Sequence, residues 1–307
     1  ISTSGTTNSI TGSGSGRKLA SLFGKLDYSF MDRYLINATV RRDGSSALGP
    51  NNRFDVFPAI GLGWIVSDEG FLADNSAVSL LKLRAGWGAV GNQNSLGDFS
   101  YISSYAQDPN FTSTGYDINA ANSGNPANGI ALLSRGNPDL VWESSETLNL
   151  GIDFSLLEYK INGSVEWYDR RTKNLILQPP VPLSAGTASP SFVNLGEIQN
   201  KGIDISLDYN GQLGQVDIGI VSKYKNNVLD IDGNPESFLQ GPGGNPNIIA
   251  ARTAVGREIG AFYGLIADGV IQEGPEAGNF NFRDLDNSGT IDFNDQDYVG
   301  SPHPDFT

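Results

Sequence analysis

The chain has 307 residues with a net charge of −14 at pH 7, and 38% of it is hydrophobic; there are 38 glycines, no cysteine and one histidine, His303. That balance excludes a nucleic-acid partner, because no basic stripe exists to neutralise phosphates, and it removes thiol chemistry, Cys-based zinc sites and a histidine-cluster metal site. Low apolar content with 10% aromatics suits strands that are apolar on one face and joined by long polar loops.

Residues 1–18 open on "ISTSGTTNSITGSGSG", a polar run with neither the charged nor the apolar region of a signal peptide. It reads as the remnant of an extracellular loop, and the chain as a segment cut at both ends. No run of about 18 apolar residues occurs, so no transmembrane helix is expected.

Strand signals begin with "KLDYSF", where Leu26, Tyr28 and Phe30 oppose Lys25, Asp27 and Ser29. In "YLINATVR", Tyr34, Ile36, Ala38 and Val40 oppose Asn37, Thr39 and Arg41, so Arg41 points away from the apolar side. "VFPAIGLGWIV" sets Ile60, Leu62 and Trp64 against small residues, and "LKLRAGWGAV" sets Leu81, Leu83 and Trp87 against Lys82, Arg84 and Gly86. "TLNLGIDFS" places Leu148, Leu150 and Ile152 opposite Asn149, Gly151 and Asp153, and "YKINGSVEWYDR" places Ile161, Val165 and Trp167 opposite Asn162, Ser164 and Glu166. "GIDISLDY" and "VDIGIVSKY" complete a set of about eight strands, each near the 9–11 residues that cross a membrane at a tilt.

The connections alternate in length. Residues 31–33, 156–158 and 210–214 are short and 68–79 moderate, whereas 43–53, 91–141, 171–200 and 226 onward are long. An outer-membrane barrel keeps this parity, with turns in the periplasm and loops outside; a soluble sandwich has no reason to. Tyr28, Tyr34, Trp64, Trp142, Trp167 and Tyr168 fall near strand ends, where an interfacial girdle places aromatics. The fold expected is all-β, part of a large antiparallel transmembrane barrel with long extracellular loops.

Within the long loop from Asn92 to Val141, Tyr101, Tyr105 and Tyr116 stand among Asn, Asp and Ser, the mix of aromatic platforms and polar partners that binds sugars. Further on, "RDLDNSGTIDFNDQD" has calcium-loop spacing: Asp284 at position 1, Asp286 at 3, Ser288 at 5, Gly289 at 6, Thr290 at 7, Asp292 at 9 and Asp295 at 12. It departs from the pattern with Ser at 5 and Asp instead of a bidentate Glu at 12. No helical pattern flanks it, so a structural calcium is expected and not a sensor. Asp68, Glu69, Asp230 and Asp232 are paired carboxylates, but they lie in turns without a framed cleft, and no enzyme is expected.

Several phrases, in this order, resemble the SusC/RagA family of TonB-dependent outer-membrane transporters of Bacteroidetes. They are "SFMDRYLINATVRRDGSSALGPNNRFDVFPAIGLGWIVSDEGFL", "LKLRAGWGAVGNQN", "NPDLVWESSETLNLGIDF", "VNLGEIQNKGIDISLDY", "GREIGAFYGLIADGVIQ" and "FRDLDNSGTIDFNDQDYVGSPHPDFT". The resemblance runs from about Leu19 to Thr307. It implies a barrel closed around a plug, a SusD-like lipoprotein as lid, and TonB-driven import of oligosaccharides or peptides. Residues 19–225 are then barrel wall in contact with membrane lipid, and 226–307 an extracellular segment with the calcium loop that leads to further strands. The alternative is a secreted, calcium-stabilised adhesin or carbohydrate-binding module. It would bury Ile36, Val40, Leu62, Leu83, Leu150, Ile152 and Val165 in a sandwich, where a barrel turns them to lipid.

Overall fold

The computed structural model describes residues 14–73, 75–106, 115–116, 127–128, 131–179, 189–211, 214–241 and 251–301, with side chains left aside at 106, 115–116, 127–128, 131, 211 and 214–226. Eight strands form one antiparallel sheet: β1 (Leu19–Phe30), β2 (Tyr34–Ser45), β3 (Phe54–Ile65), β4 (Val78–Asn92), β5 (Glu143–Leu156), β6 (Ile161–Lys173), β7 (Glu197–Gly211) and β8 (Gly214–Asp230). Each pairs with its neighbour in the sequence, so the sheet is an uninterrupted meander.

The short connections all lie at one end. At the first, Met31 and Asp32 both take φ of 54°, the left-handed turn geometry that follows the twist of the flanking strands. The second runs from a single 3-10 turn, Val66–Asp68, to Val78, and is tied down by Glu69. Its Oε1 accepts from the Tyr34 hydroxyl (2.6 Å) and the Trp64 indole (3.0 Å), and its Oε2 from Arg33 (3.3 Å). One carboxylate thereby joins two turns and the stacked Tyr34–Trp64 pair, whose ring centres are 6.4 Å apart.

Register without slippage from β1 to β3 and from β5 to β7 keeps the two faces distinct across the sheet. On one face Leu26, Tyr28, Ile36, Val40, Leu62, Leu83, Leu150, Ile152, Val165, Ile203 and Leu207 all remain exposed, with no second layer over them among the described residues. The opposite face carries Asn37, Arg41, Lys82, Arg84, Asn149, Asp153 and Glu166. A sandwich would have closed over the first face. This wall leaves it bare and continuous, as a lipid-facing surface requires.

Two of the aromatics expected in the girdle do not point to lipid. Tyr168 pairs with Asn149 and lies against Gly202 on the polar face. Trp142, which precedes β5, is buried at 5% exposure. It joins Ala47, Leu48, Phe57, Leu96, Leu140 and Ile176 in a compact apolar cluster at the long-loop end. The reason is local. The indole N–H donates to the Arg53 carbonyl (3.0 Å) and the ring meets Phe57 edge-on at 5.6 Å, so loop residues compete successfully for it.

Beyond β8 the chain builds a small sheet from β9 (Phe238–Gln240), β10 (Ala251–Ala254), β11 (Ala261–Leu265) and β14 (Gln296–Gly300), with a hairpin of β12 (Ala267–Val270) and β13 (Phe280–Phe282). It is tied to the wall through β8. Val228 is buried at 2% exposure, its N–H donating to the Arg257 carbonyl (2.9 Å) and its carbonyl accepting from Gly256 (2.8 Å). Inside this sheet the Arg252 guanidinium is held between the rings of Phe238 (3.9 Å) and Tyr263 (3.6 Å), a packing that fixes β9 on β11.

Candidate functional site

Three features could meet a ligand: the acidic loop, the clasp of surface loops at the far end of the wall, and the polar face of the wall itself. The acidic loop lies between β13 and β14. Asn287 (φ 57°) and Gly289 (φ 80°) turn the chain sharply enough for Asp284 to reach over it, accepting from the N–H groups of Ser288 (3.1 Å) and Gly289 (2.7 Å). Asp286 accepts from Ser288 as well (3.0 Å). From the far side Asp295, fully buried, accepts from Leu285 (2.7 Å) and Asp292 (2.7 Å). The N–H groups of Asp292 and Leu285 hold the Asp295 carboxyl below the usual carboxylate range, against the opposing effect of its burial.

One oxygen from each of Asp284, Asp286 and Asp295 lies within 4.8 Å of the other two. The remaining residues of the spacing are engaged locally. The Ser288 hydroxyl donates to the Thr290 carbonyl (3.0 Å), and Asp292 caps the single turn Phe293–Asp295 by accepting from Asn294 (2.7 Å). Three hard, anionic oxygens converging from two sides of a turn suit calcium, and each carboxylate oxygen keeps a lone pair beyond its N–H bond. The setting favours cations too. Residues 226–307 carry thirteen acidic and three basic side chains, ten of the chain's fourteen net negative charges. One basic residue, Arg283, is consumed at the loop's entrance by a bidentate pair with Asp268 (2.9 and 2.5 Å), which holds the Asp268 carboxyl below its ordinary range.

The surface loops at the long-loop end are stitched together by side chains that the sequence alone does not mark. Buried Ser45 donates to Gln93 (3.1 Å), and Asn52 to the Asp139 carbonyl (3.2 Å). Asn137 donates to the Phe192 carbonyl (2.9 Å), and Asn194 both donates to the carbonyl of Val141 (2.9 Å) and accepts from its N–H (2.8 Å). Glu143 holds Asn92 and the Ile176 N–H, at 2.8 and 3.2 Å. Arg17 bonds Asp98 (3.2 Å) and the Leu96 carbonyl, drawing the lead-in to β1 onto the same body. Together with the apolar cluster beneath, these bonds make three separate connections one unit.

Within that unit Tyr101 is half-buried and Tyr105 is exposed, while the side chain of Tyr116 lies outside the described residues. The nearby cleft, of about 280 Å³, is lined by neither described tyrosine. Its walls come from Asp98, Ser103, Ser104, Arg135, Gln178 and Phe192, drawn from two loops far apart in sequence. No local pattern announces that set, because it exists only once the loops have met.

On the polar face, Arg84 of β4 reaches across β5 to pair with Asp153 (2.9 Å) and Glu166 of β6 (3.1 Å). It can lie flat there because Gly151 sits beneath; a Cβ at that position would come within 2.9 Å of the guanidinium carbon. Beside it a recess of about 230 Å³ is lined by Asn37, Gly61, Gly63, Lys82, Gly86 and Asn149. The carboxylates considered for acid–base chemistry all have structural partners instead. Asp68 accepts from Ser67 (3.3 Å), Asp230 from the Gly233 N–H (2.8 Å) and Asp232 from the Asn234 N–H (3.1 Å), while Glu69 forms the clip between turns.

Comparison with known proteins sets this architecture in context. The family described as "TonB dependent receptor-like, beta-barrel" matches residues 2–304. The chain is 31% identical to TonB-dependent receptor P3 of Formosa agariphila over 94% of its own length and 30% of that protein's. It is 34% identical to TonB-dependent receptor SusC of Bacteroides thetaiotaomicron over 62% of its length and 18% of that protein's. Among solved structures it superposes on the RagAB peptide transporter with a TM-score of 0.74, at 19% identity, covering 92% of this chain and 30% of that one. The chain thus spans about three tenths of the length of P3 and of the RagAB chain.

Proposed function

The chain belongs to the TonB-dependent receptor β-barrel family of the outer membrane, and from that membership we propose that it supplies wall and surface loops to a TonB-driven nutrient importer. The cargo is an oligosaccharide or a peptide, carried in with a SusD-like surface lipoprotein. The family transports and does not catalyse. The observation that carries the reading is the pair of unlike faces on a single meander: an exposed apolar row over at least seven strands, backed by charged and amide side chains. Residues 19–225 are the transmembrane wall, and 226–307 the extracellular segment. Peptide cargo draws support from the likeness to a structure described as a peptide transporter, and oligosaccharide cargo from the resemblance of the chain's motifs to the SusC/RagA family. Tyr101, Tyr105 and Tyr116 are proposed to meet cargo from the surface loops.

Uptake decides between importer and bystander. A strain lacking the protein should fail to accumulate one labelled oligosaccharide or peptide, and restoring the gene should return uptake only while the proton gradient that feeds TonB is intact. Accumulation unaffected by the deletion across both cargo classes would reject the function.

Calcium is proposed to sit on Asp284, Asp286 and Asp295, with Ser288, Thr290 and Asp292 completing the shell after local rearrangement. Extracellular calcium is abundant, so an affinity of about 10⁻⁴–10⁻³ M suffices to fill such a site. Its role is to hold the extracellular segment in one shape. Calorimetric titration of the protein at millimolar calcium should show binding that Asp286→Asn weakens; absence of any binding heat would remove calcium from the account.

A further inference from the structure

Adjacent arginines on β2 (Tyr34–Ser45) face opposite ways and are treated differently. Arg41, on the polar face, has its Nε 2.7 Å from Asp43 and donates to the Ser21 hydroxyl at 3.2 Å. Arg42 lies on the lipid-facing side. Its cross-strand partners are Leu22 and Val56, and Val40 precedes it on the same side, all of them exposed apolar residues. Among the described residues Arg42 has no carboxylate partner; its guanidinium rests 4.6 Å above the Phe54 ring, which itself spreads over Gly44. Three other cations on this side near the same end have acidic partners. Lys173 is 3.0 Å from Glu146, and Lys201 and Arg171 lie 3.4 and 3.9 Å from Asp169.

The height of Arg42 is fixed by the strand. It stands eight residues along β2 from Tyr34, whose stacking on Trp64 marks the short-turn interface. At ~3.3 Å per residue and a tilt of 35–45° those eight residues span roughly 20 Å of membrane normal. An apolar band is about 25 Å tall, so the guanidinium reaches the level where hydrocarbon gives way to headgroups on the long-loop side. A guanidinium cannot shed its proton and is expensive to leave bare against hydrocarbon. Its planar fork matches a phosphate in two hydrogen bonds, and the aromatic face beneath holds it in that plane.

We infer that Arg42, seated on Phe54, binds the phosphate headgroup of an outer-leaflet lipid, making this patch of β1, β2 and β3 a specific lipid site on the barrel exterior. The inference rests on the barrel reading and is independent of cargo. To test it, the protein is purified from its outer membrane, stripped of lipid in detergent, and titrated with lipid A in its phosphorylated or its dephosphorylated form under native mass spectrometry. A charge at a membrane surface is worth about a factor of five in binding. Arg42→Gln should therefore weaken binding of the phosphorylated form about five-fold, Arg42→Lys should fall between, and Lys173→Gln should match the unmodified protein. Equal binding by Arg42→Gln and the unmodified protein, or equal binding of the two lipid forms, would overturn the site. So would saturation by inorganic phosphate alone, which would make it a free-anion site. Heat-modifiable gel migration reports the barrel separately: its loss in the unmodified protein would refute the barrel reading, whereas an intact barrel indifferent to Arg42 refutes only the lipid site.

Discussion

Trp142→Ala is the sharpest perturbation of the loop clasp. Trp142 is 5% exposed, its ring packs edge-on against Phe57 and its N–H is spent on the Arg53 carbonyl. Truncating a buried Trp to Ala removes about 3–5 kcal/mol through lost burial and the cavity left behind. The wall enters this cluster at Phe57 of β3, with Ala89 of β4 against it, but its ladder bonds run strand to strand and its outer face meets lipid. The loss should therefore appear as local opening of the loops and leave the barrel intact. Amides that close the clasp, Leu48 N–H on the Ser45 carbonyl and Val141 N–H on Asn194, should exchange faster by roughly 10²–10⁴-fold in hydrogen–deuterium exchange. Wall amides such as those between β5 and β6 should be unchanged. Trp142→Phe keeps the ring stack and removes one of two donors to the Arg53 carbonyl, which still accepts from the Ser45 N–H (3.0 Å), and should cost about 0.5–1.5 kcal/mol. Exchange unchanged at Leu48 and Val141, or accelerated equally in loops and wall, would refute a clasp that is separable from the barrel.

Leu150→Arg places a cation in the middle of the outward apolar row and should destabilise the folded barrel by about 2–4 kcal/mol, read from urea titrations in lipid vesicles. Asn149→Asp, one residue away on the polar face, should not. Gly151→Val should push Arg84 off Asp153 and Glu166, and the loosened charges should raise ion conductance through the barrel in planar bilayers with thermal stability of the wall little changed. The lowered Asp295 carboxyl sets a pH dependence with a definite sign. Because its folded value lies below the unfolded one, the stabilising contribution is complete at neutral pH. It fades as pH drops through the ordinary carboxylate value and is gone below the folded value. Protease protection of residues 284–295 should follow that course, and Asp295→Asn should abolish the dependence.

Much of the wall was legible in the sequence because a membrane enforces period-two alternation, and each strand declares its two faces without help from the others. Ile36, Val40, Leu62, Leu83, Leu150, Ile152 and Val165 stand on the outward face that their spacing predicts. Gly289 at the turn, with Asp284, Asp286 and Asp295 around it, follows from spacing within twelve residues. The clasp was not legible. Leu48, Leu96, Leu140, Trp142 and Ile176 come from separate connections with no shared period, so their meeting is decided by tertiary packing alone. Trp142 shows the cost of local reading: an aromatic near a strand end suggests an interfacial anchor, and only the competing Arg53 carbonyl and the Phe57 ring reveal a core residue. Arg42 escaped for the opposite reason, since its meaning lies in the absence, among the described residues, of a carboxylate on its own face of β1, β2 and β3, where Asp43 and Asp55 turn to the other face.

The central claim is that one meander presents one face to lipid and the other to water. These 307 residues contain no cysteine, so no native thiol within them competes with an introduced one. Cysteines introduced at Leu62, Leu150 and Val165, and separately at Asn37, Asn149 and Glu166, would be probed in intact outer membranes with a membrane-impermeant maleimide and a lipid-partitioning one. The first set should react only with the lipid-partitioning reagent and the second with the water-soluble one. Water-soluble labelling of both sets alike would contradict the account.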